Sequence, residues 1–422
     1  MQQQLPSLRS EQLSLRTQVL GSAQLALLDA EQWDALTREA VCENPFYARQ
    51  YLLAGLETID RAADLRAIAV WNDSNDLVGL FPFRSRWGIA VGAANNYQFS
   101  GTPLVHRDYA PAVVSRWLTA IADDQAPPVW RLRDVHMEGD LARLIEALAA
   151  HHGLEISIVQ RYSRPRLSRL RGGMQAHLDK IVSKSRRKDI ERSLRRLREH
   201  GVVRFERVEE PAALASRLEQ FLLLEQAGWK GANKTAFLSH PYDTAFARAA
   251  FGAREGAPGL SSIDALLLNE IPIALNVNIA CGGTLFTPKG AYDEAWRKFN
   301  PGLVLEYLVI ERFYEDQRFE AMDASTTVDG HVVQGLWNEL TSMGTILVGR
   351  RGLTGLAERI VTAHDTLKSI TKVVLATAGR GASKQVARLP SLSRQDSHSQ
   401  APTQGPFAAD AASGRRTGSD NR

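Results

Sequence analysis

Six consecutive residues, Arg297-Lys298-Phe299-Asn300-Pro301-Gly302, put two cations, an Asn-Pro pair and a glycine side by side. Leu305, Leu308, Val309 and Phe313 recur behind them at helical spacing, which predicts a helix over 303–317 with Asn300 as N-cap and Pro301 as first helical residue. A helix start presents unpaired amides and the positive end of a dipole, and Gly302 and Leu303 stand where a ligand would meet that backbone. The chemistry is anion binding, with Arg297 and Lys298 suited to a diphosphate. An ordinary strand-to-helix connection with two solvated cations has the same composition. Three further places carry reactive or recognising groups: Tyr292 before the basic loop, Asp323 beyond the helix, and Trp229-Lys230 between Gly228 and Gly231. The last pair is read either as an exposed aromatic and cation or as helix packing.

These residues need a strand before the loop and another after the helix. An apolar run over 271–280, interrupted by Asn276 and Asn278, turns at Cys281-Gly282-Gly283 and returns over 284–290, which predicts a hairpin. A strand over 319–323 follows the helix. The same order occurs earlier: strands over 65–71 and 77–83, a third candidate over 96–104, the loop Arg107-Asp108-Tyr109-Ala110-Pro111-Ala112, a helix over 113–122 and a strand over 129–135 that carries Asp134. Pro111 aligns with Pro301 and Asp134 with Asp323, so an internal duplication with a period of about 190 residues accounts for the pattern. In the first copy Asp108 replaces Lys298 and Ala112 replaces Gly302, which makes the second copy the better anion site.

Between the copies, fourteen cations against four carboxylates over 161–200 leave +10 in a chain whose net charge is +4. A single helix over 174–200, with Ile181, Ile190, Leu194 and Leu197 as a thin apolar stripe and Gly201 as its stop, would be mostly cationic face. A solvated bridging helix, an anionic acceptor and a nucleic acid such as tRNA all stay open, although no aromatic residue is interleaved over 164–200 for base stacking. Cys42 and Cys281 match no redox or metal spacing and are expected as buried thiols, and the ten histidines suggest no metal. No apolar run reaches the ~20 residues of a membrane span, and residues 1–16 lack a signal-type apolar block, so a cytoplasmic protein is expected. A packing helix over 351–378 and a disordered tail over 379–422 end the chain.

In their order, Ser183-Lys184-Ser185-Arg186-Arg187-Lys188, Leu197-Arg198-Glu199-His200-Gly201, Gly228-Trp229-Lys230-Gly231, Ala291-Tyr292-Asp293, Asn300-Pro301-Gly302 and Asp323 with Trp337 resemble the double-domain GNAT acyltransferases of the cellulose-biosynthesis CelD type, relatives of the FemABX aminoacyltransferases. The resemblance spans most of residues 40–345. It implies an α/β (α+β) fold of tandem GNAT-like domains, each a mixed, mostly antiparallel sheet flanked by helices: 1–165 degenerate, 166–200 a basic connecting helix, 201–350 the acyltransferase domain. It further implies acyl-CoA, acetyl-CoA in the first instance, at a V-shaped opening of the second sheet, with its pyrophosphate on the loop before Gly302. The sequence departs from the family where a lysine expected before Trp337 is Gln334, and where 324–329 is rich in Thr and Ser. The function expected is direct N- or O-acyl transfer to a small or saccharide-like acceptor, as in exopolysaccharide or cellulose biosynthesis. Its cofactor loop would be Arg297, Lys298, Asn300, Pro301, Gly302 and Leu303. Asp323 would be the base or acceptor-orienting carboxylate, Tyr292 the proton donor to the leaving thiolate, and Trp229 and Lys230 the acceptor side. No Gly-x-Ser-x-Gly elbow or Cys-His pair marks a covalent route. A Fem-type transferase fed by aminoacyl-tRNA and a non-catalytic assembly or nucleic-acid-binding subunit are the alternatives.

Overall fold

A computed structural model describes residues 14–61, 64–93, 95–253, 259–327 and 332–366. In chain order the first part holds β1 (Arg16–Gly21), α1 (Ser22–Ala26), α2 (Ala30–Glu39), α3 (Arg49–Glu57), β2 (Leu65–Trp71), β3 (Leu77–Arg86), β4 (Ile89–Gly92), β5 (Leu104–Val105), α4 (Ala110–Ala122), β6 (Val129–His136), α5 (Asp140–Ala149) and the long β7 (Leu154–Ser168). Then come α6 (Gly173–Lys180), α7 (Lys184–Arg198), β8 (Val203–Val208), α8 (Pro211–Ala227), α9 (Trp229–Ala232), α10 (Pro241–Phe251), β9 (Ser261–Leu268), β10 (Ile271–Cys281), β11 (Thr284–Tyr292), α11 (Pro301–Glu315), β12 (Ala321–Asp323) and β13 (Glu339–Arg350). Contacts divide the chain into one unit over Met1–Ala363 and a second over His364–Arg422, of which only 364–366 are described, as helix. Most of the expected 351–378 helix beyond 366, and the tail, lie outside the described residues.

Among the described residues the strands form one sheet in the order β1-β2-β3-β4-β6-β13-β7-β12-β11-β10-β9-β8, with β5 attached to β3. Read inward from its two edges, the sheet repeats itself. An antiparallel run, β1 to β4 or β8 to β11, is followed by a helix, α4 or α11, that returns the chain to a parallel neighbour, β6 or β12. The fold is thus α/β with two GNAT-like halves. At the centre the halves exchange strands: β7 pairs with β12, β13 pairs with β6, and β7 and β13 pair with each other from Glu339↔Arg166 to Arg350↔Leu154. Helices cover both faces. Val113, Val114, Trp117 and Ile121 of α4 bury one side of the first half, while Val304, Leu305, Val309 and Phe313 of α11 pack on the second with Leu266 and Leu285.

Three expectations change. The helix expected over 174–200 is two, α6 and α7, because Val182 is buried between them and the Ser183 hydroxyl caps the next helix by accepting from the Arg186 amide. Residues 166–168, included in the connecting helix that the resemblance implies over 166–200, belong to β7. The segment over 96–104 forms no strand before Leu104. Residues 345–348 lie in β13 at the middle of the sheet.

One buried cation joins the exchanged strands. Arg164 of β7, 3% exposed, lies 3.6 Å from Asp323 of β12 and donates to the Tyr162 hydroxyl at 2.9 Å and the Phe99 carbonyl at 2.7 Å. Tyr162 in turn donates to Asp134 of β6 at 2.8 Å. The two aspartates that the duplication pairs are therefore connected through side chains of one strand. Arg164→Ala leaves Asp323 buried without its cation and should cost about 3–5 kcal/mol, read as a lower midpoint in urea unfolding.

Candidate active site

β11 and β12 run together only for Thr284↔Ala321, Leu285↔Met322 and Phe286↔Asp323. Beyond that point β11 continues to Tyr292, while the other chain turns away through Ser325, held at φ +51° with its amide donating to Asp323. The two strands part into a wedge, and a cavity of about 680 Å³ occupies it. Thr287 to Tyr292 form one wall, Ala324, Thr326, Val332, Val333 and Trp337 the other, and the start of α11 with Arg297 the end.

The same divergence occurs in the first half, where β4 and β6 pair only from Ile89↔Val129 to Val91↔Arg131. There the chain fills it. The Gly101 amide donates to the Arg133 carbonyl at 2.8 Å, and a Cβ on Gly101 would stand 2.8 Å from that same oxygen. The fully buried Asn44 anchors this plug through the Thr102 carbonyl at 2.6 Å.

Of the residues singled out by sequence, Tyr292, Arg297, Asn300, Pro301, Gly302, Leu303, Trp229 and Lys230 all line the second cavity. Asn300 starts α11 as expected but in the left-handed conformation, φ +49°, so its side chain does not cap the helix and its amide donates to Ser193 of α7 instead. Gly302 has an ordinary φ, and a Cβ there would meet only Tyr292 Cδ1 at 3.8 Å, so nothing in the chain itself demands glycine. Lys298 is exposed, absent from the lining, with its ammonium 4.9 Å from the Phe299 ring. Asp323 is also absent from the lining and is held by Arg164 and the Ser325 amide, which places it behind the wall. Cys281 is buried and Cys42 only half-buried; burial pushes their thiols up to about 12 and about 11, so neither is a thiolate at neutral pH.

Other lining groups escaped the sequence reading. Glu225, at the end of α8, has its carboxylate 2.8 Å from Lys289 and 3.3 Å from Lys230 and accepts from the Phe237 amide. Burial lowers the Lys289 ammonium from its ordinary value against the pull of Glu225, and the ammonium sits 3.9 Å from the Phe237 ring. Glu306, on the second turn of α11, is 3% exposed; it accepts from the Trp337 indole at 2.8 Å and lies 3.5 Å from the Asn276 amide. Burial, and Asp264 behind it, raise this carboxyl to about 7. A lone carboxylate among Leu305, Val309 and Phe313, and the Asn276 break in an apolar strand, were the available signals. Arg186 brings the basic helix α7 to the rim, donating to the Val332 carbonyl at 3.3 Å while its buried Nε lacks a partner. Among the described residues no group of His, Cys, Asp and Glu is placed to hold a metal, and no helix is long and apolar enough to cross a membrane.

Residues 184–330, which run from the start of α7 past β12, match the family described as an acetyltransferase (GNAT) domain. The matched residues include both strands of the wedge, β11 and β12, and support an acyltransferase. In fold, the chain is similar to the crystal structure of FemX, at 12% identity over 78% of this chain and 98% of that one with a TM-score of 0.53. It is likewise similar to the C-terminal domain of a putative lysylphosphatidylglycerol synthetase from Agrobacterium fabrum, at 11% identity over 80% and 96% with a TM-score of 0.50. No curated protein matches the sequence.

Because the folded state holds the Glu306 proton up to about 7, against an ordinary 4.5, it binds more protons than the unfolded chain between those values. Stability contributed by this group therefore falls as pH rises through that window. Glu306→Gln should melt closer to wild type at pH 5 and above it at pH 8, measured by thermal unfolding at both.

Proposed function

We propose that the protein transfers an acyl group from acyl-CoA, acetyl-CoA in the first instance, directly to a small or saccharide-like acceptor. Exopolysaccharide or cellulose biosynthesis is the setting this reading favours. The observation that carries it is the start of α11: Gly302 and Leu303 present first-turn amides to the cavity, Arg297 stands beside them, and the space a Gly302 side chain would take is open. Amides at the positive end of a 15-residue helix suit a diphosphate. The wedge behind them receives the pantetheine arm and brings the thioester toward Tyr292, whose hydroxyl supplies the proton the leaving thiolate needs. Lys298 adds only long-range attraction from its exposed position. Trp229, 54% exposed at the rim, and Lys230 form the acceptor side.

Asp323 takes a different part in this reading from the base expected by sequence. Its charge is committed to Arg164, so it fixes the point where the strands separate and orients the wall of the wedge. Domains over 1–165 and 201–350 accompany the proposal, the basic segment between them leading to the rim through Arg186. Direct transfer is supported by two thiols held protonated.

A second reading draws on α7, where Lys184, Lys188, Arg195 and Arg198 are exposed on the helix that reaches the rim. Such a cationic row suits the RNA of an aminoacyl-tRNA donor.

Acetyl-CoA at a hundredfold excess over its Kd should stabilise the protein by about 2.7 kcal/mol, seen as a rise in melting temperature. Gly302→Val and Arg297→Glu should remove most of that rise, and Lys298→Glu should reduce it less. Undiminished rises in Gly302→Val would place the donor elsewhere. Absence of any rise in wild type, together with RNA binding that collapses steeply with salt, would favour the second reading.

A further inference from the structure

We infer that the helix following β13 forms a coiled-coil seam with the same helix of a second copy of this chain, along Leu353, Leu356, Ile360 and Ala363. The helix is described over 353–366 and carries two stripes of different fate. One faces inward: Thr354, Ala357 and Val361 are buried, and the last two pack with Ile89, Val129 and Leu347 of the sheet. Glu358 holds this side down by accepting from the Ser157 hydroxyl at 2.7 Å. The other stripe lies about a quarter turn around the helix and meets solvent, with Leu353 42%, Leu356 56% and Ile360 37% exposed. Large aliphatic side chains on successive turns are costly to leave in water.

The spacing says what covers them. From Leu353 the intervals are three, four and three, to Ala363, and the sequence continues with four, three and four, to Leu367, Ile370 and Val374. That is the alternation of a heptad, whose mean period of 3.5 winds two helices about each other. A straight helix on a flat lipid surface repeats at 3.6. Continued from Ile360, that longer period selects His364 and Thr371, whereas the apolar residues are their neighbours Ala363 and Ile370. The inward stripe does not continue in residue type: after Val361 its positions fall on Asp365, Lys368 and Lys372. The apolar row thus outlasts the side that packs on the sheet.

Charge points to a second copy as the partner. The positions flanking the row are Gly352, Arg359 and Thr366 on one side and Ala357, His364 and Thr371 on the other. With one fixed charge among them, identical helices meet without a line of like charges, and nothing there selects a foreign helix by opposite charge. The chain runs on from 366 to 422, long enough to carry the row to Val374. A two-fold axis uses the same stripe on both copies and closes the assembly at two.

Sedimentation velocity of the full chain over a range of concentrations tests this. Wild type should pass from monomer to dimer, and the double variant Leu356→Asp, Ile360→Asp should need at least ~100-fold more protein to do so. Near-ultraviolet circular dichroism should be alike in both, because the replaced side chains are exposed. Ala363→Leu adds apolar bulk to the row and should tighten the dimer about tenfold, a gain that misfolding cannot produce. Leu340→Asp, also exposed but at the opposite end of β13, should leave the dimer unchanged. A wild type that stays monomeric, a dimer undiminished in the double variant, no tightening in Ala363→Leu, or dissociation by Leu340→Asp would each overturn the seam. Binding of monomeric wild type to phosphatidylglycerol vesicles, lost in the double variant, would also overturn it and assign the stripe to a lipid surface.

Discussion

A guanidinium taken out of water at the centre of a sheet has to be matched on several sides at once, and Arg164 shows what that demand organises. Its partners come from the parting point of the second wedge, from the plug of the first, and from its own strand: Asp323, the Phe99 carbonyl and Tyr162. Through Tyr162 the charge reaches Asp134, so two aspartates placed alike in the duplicated plan share one cation and one phenol. Each partner lowers the cost of burying the next. The wall of the wedge is consequently set by an interaction that never faces the cavity.

The halves use one architecture for two purposes. Both separate a parallel strand pair after three residue pairs. In the first half the gap is closed by peptide groups, with Gly101 allowing the backbone to approach and Asn44 holding it there. In the second half it stays open, and its glycine, Gly302, faces space rather than chain. Two glycines with opposite surroundings thus distinguish a half whose gap is filled from one that keeps a pocket.

Much of this was legible because it depends on local rules. The hairpin around Gly282, the helix beginning at Pro301 and the repeat of Arg107–Ala112 in Arg297–Gly302 follow from turn chemistry and apolar spacing, and they led to the lining residues at the start of α11. What escaped depends on distant neighbours. Asp323 stands beside Arg164, 159 positions earlier in the sequence, a neighbour that no local pattern reveals. Glu306 looked like one charge on a helix until Trp337 and Asn276 closed around it. The break at Ser183 was hidden because Ile181 and Leu194 continue the apolar spacing across it, although both are only half-buried.

The exchange of β7 and β13 also bears on how the chain is made. During synthesis β6 emerges near residue 130, but the strand that lies beside it begins at Glu339. For some two hundred residues of translation its inner edge has no native neighbour, and β7 waits equally long for the same strand. Pairings so far apart in sequence form slowly, and bare edges invite intermolecular contact. A nascent chain of this design carries two open strand edges until β13 enters between them.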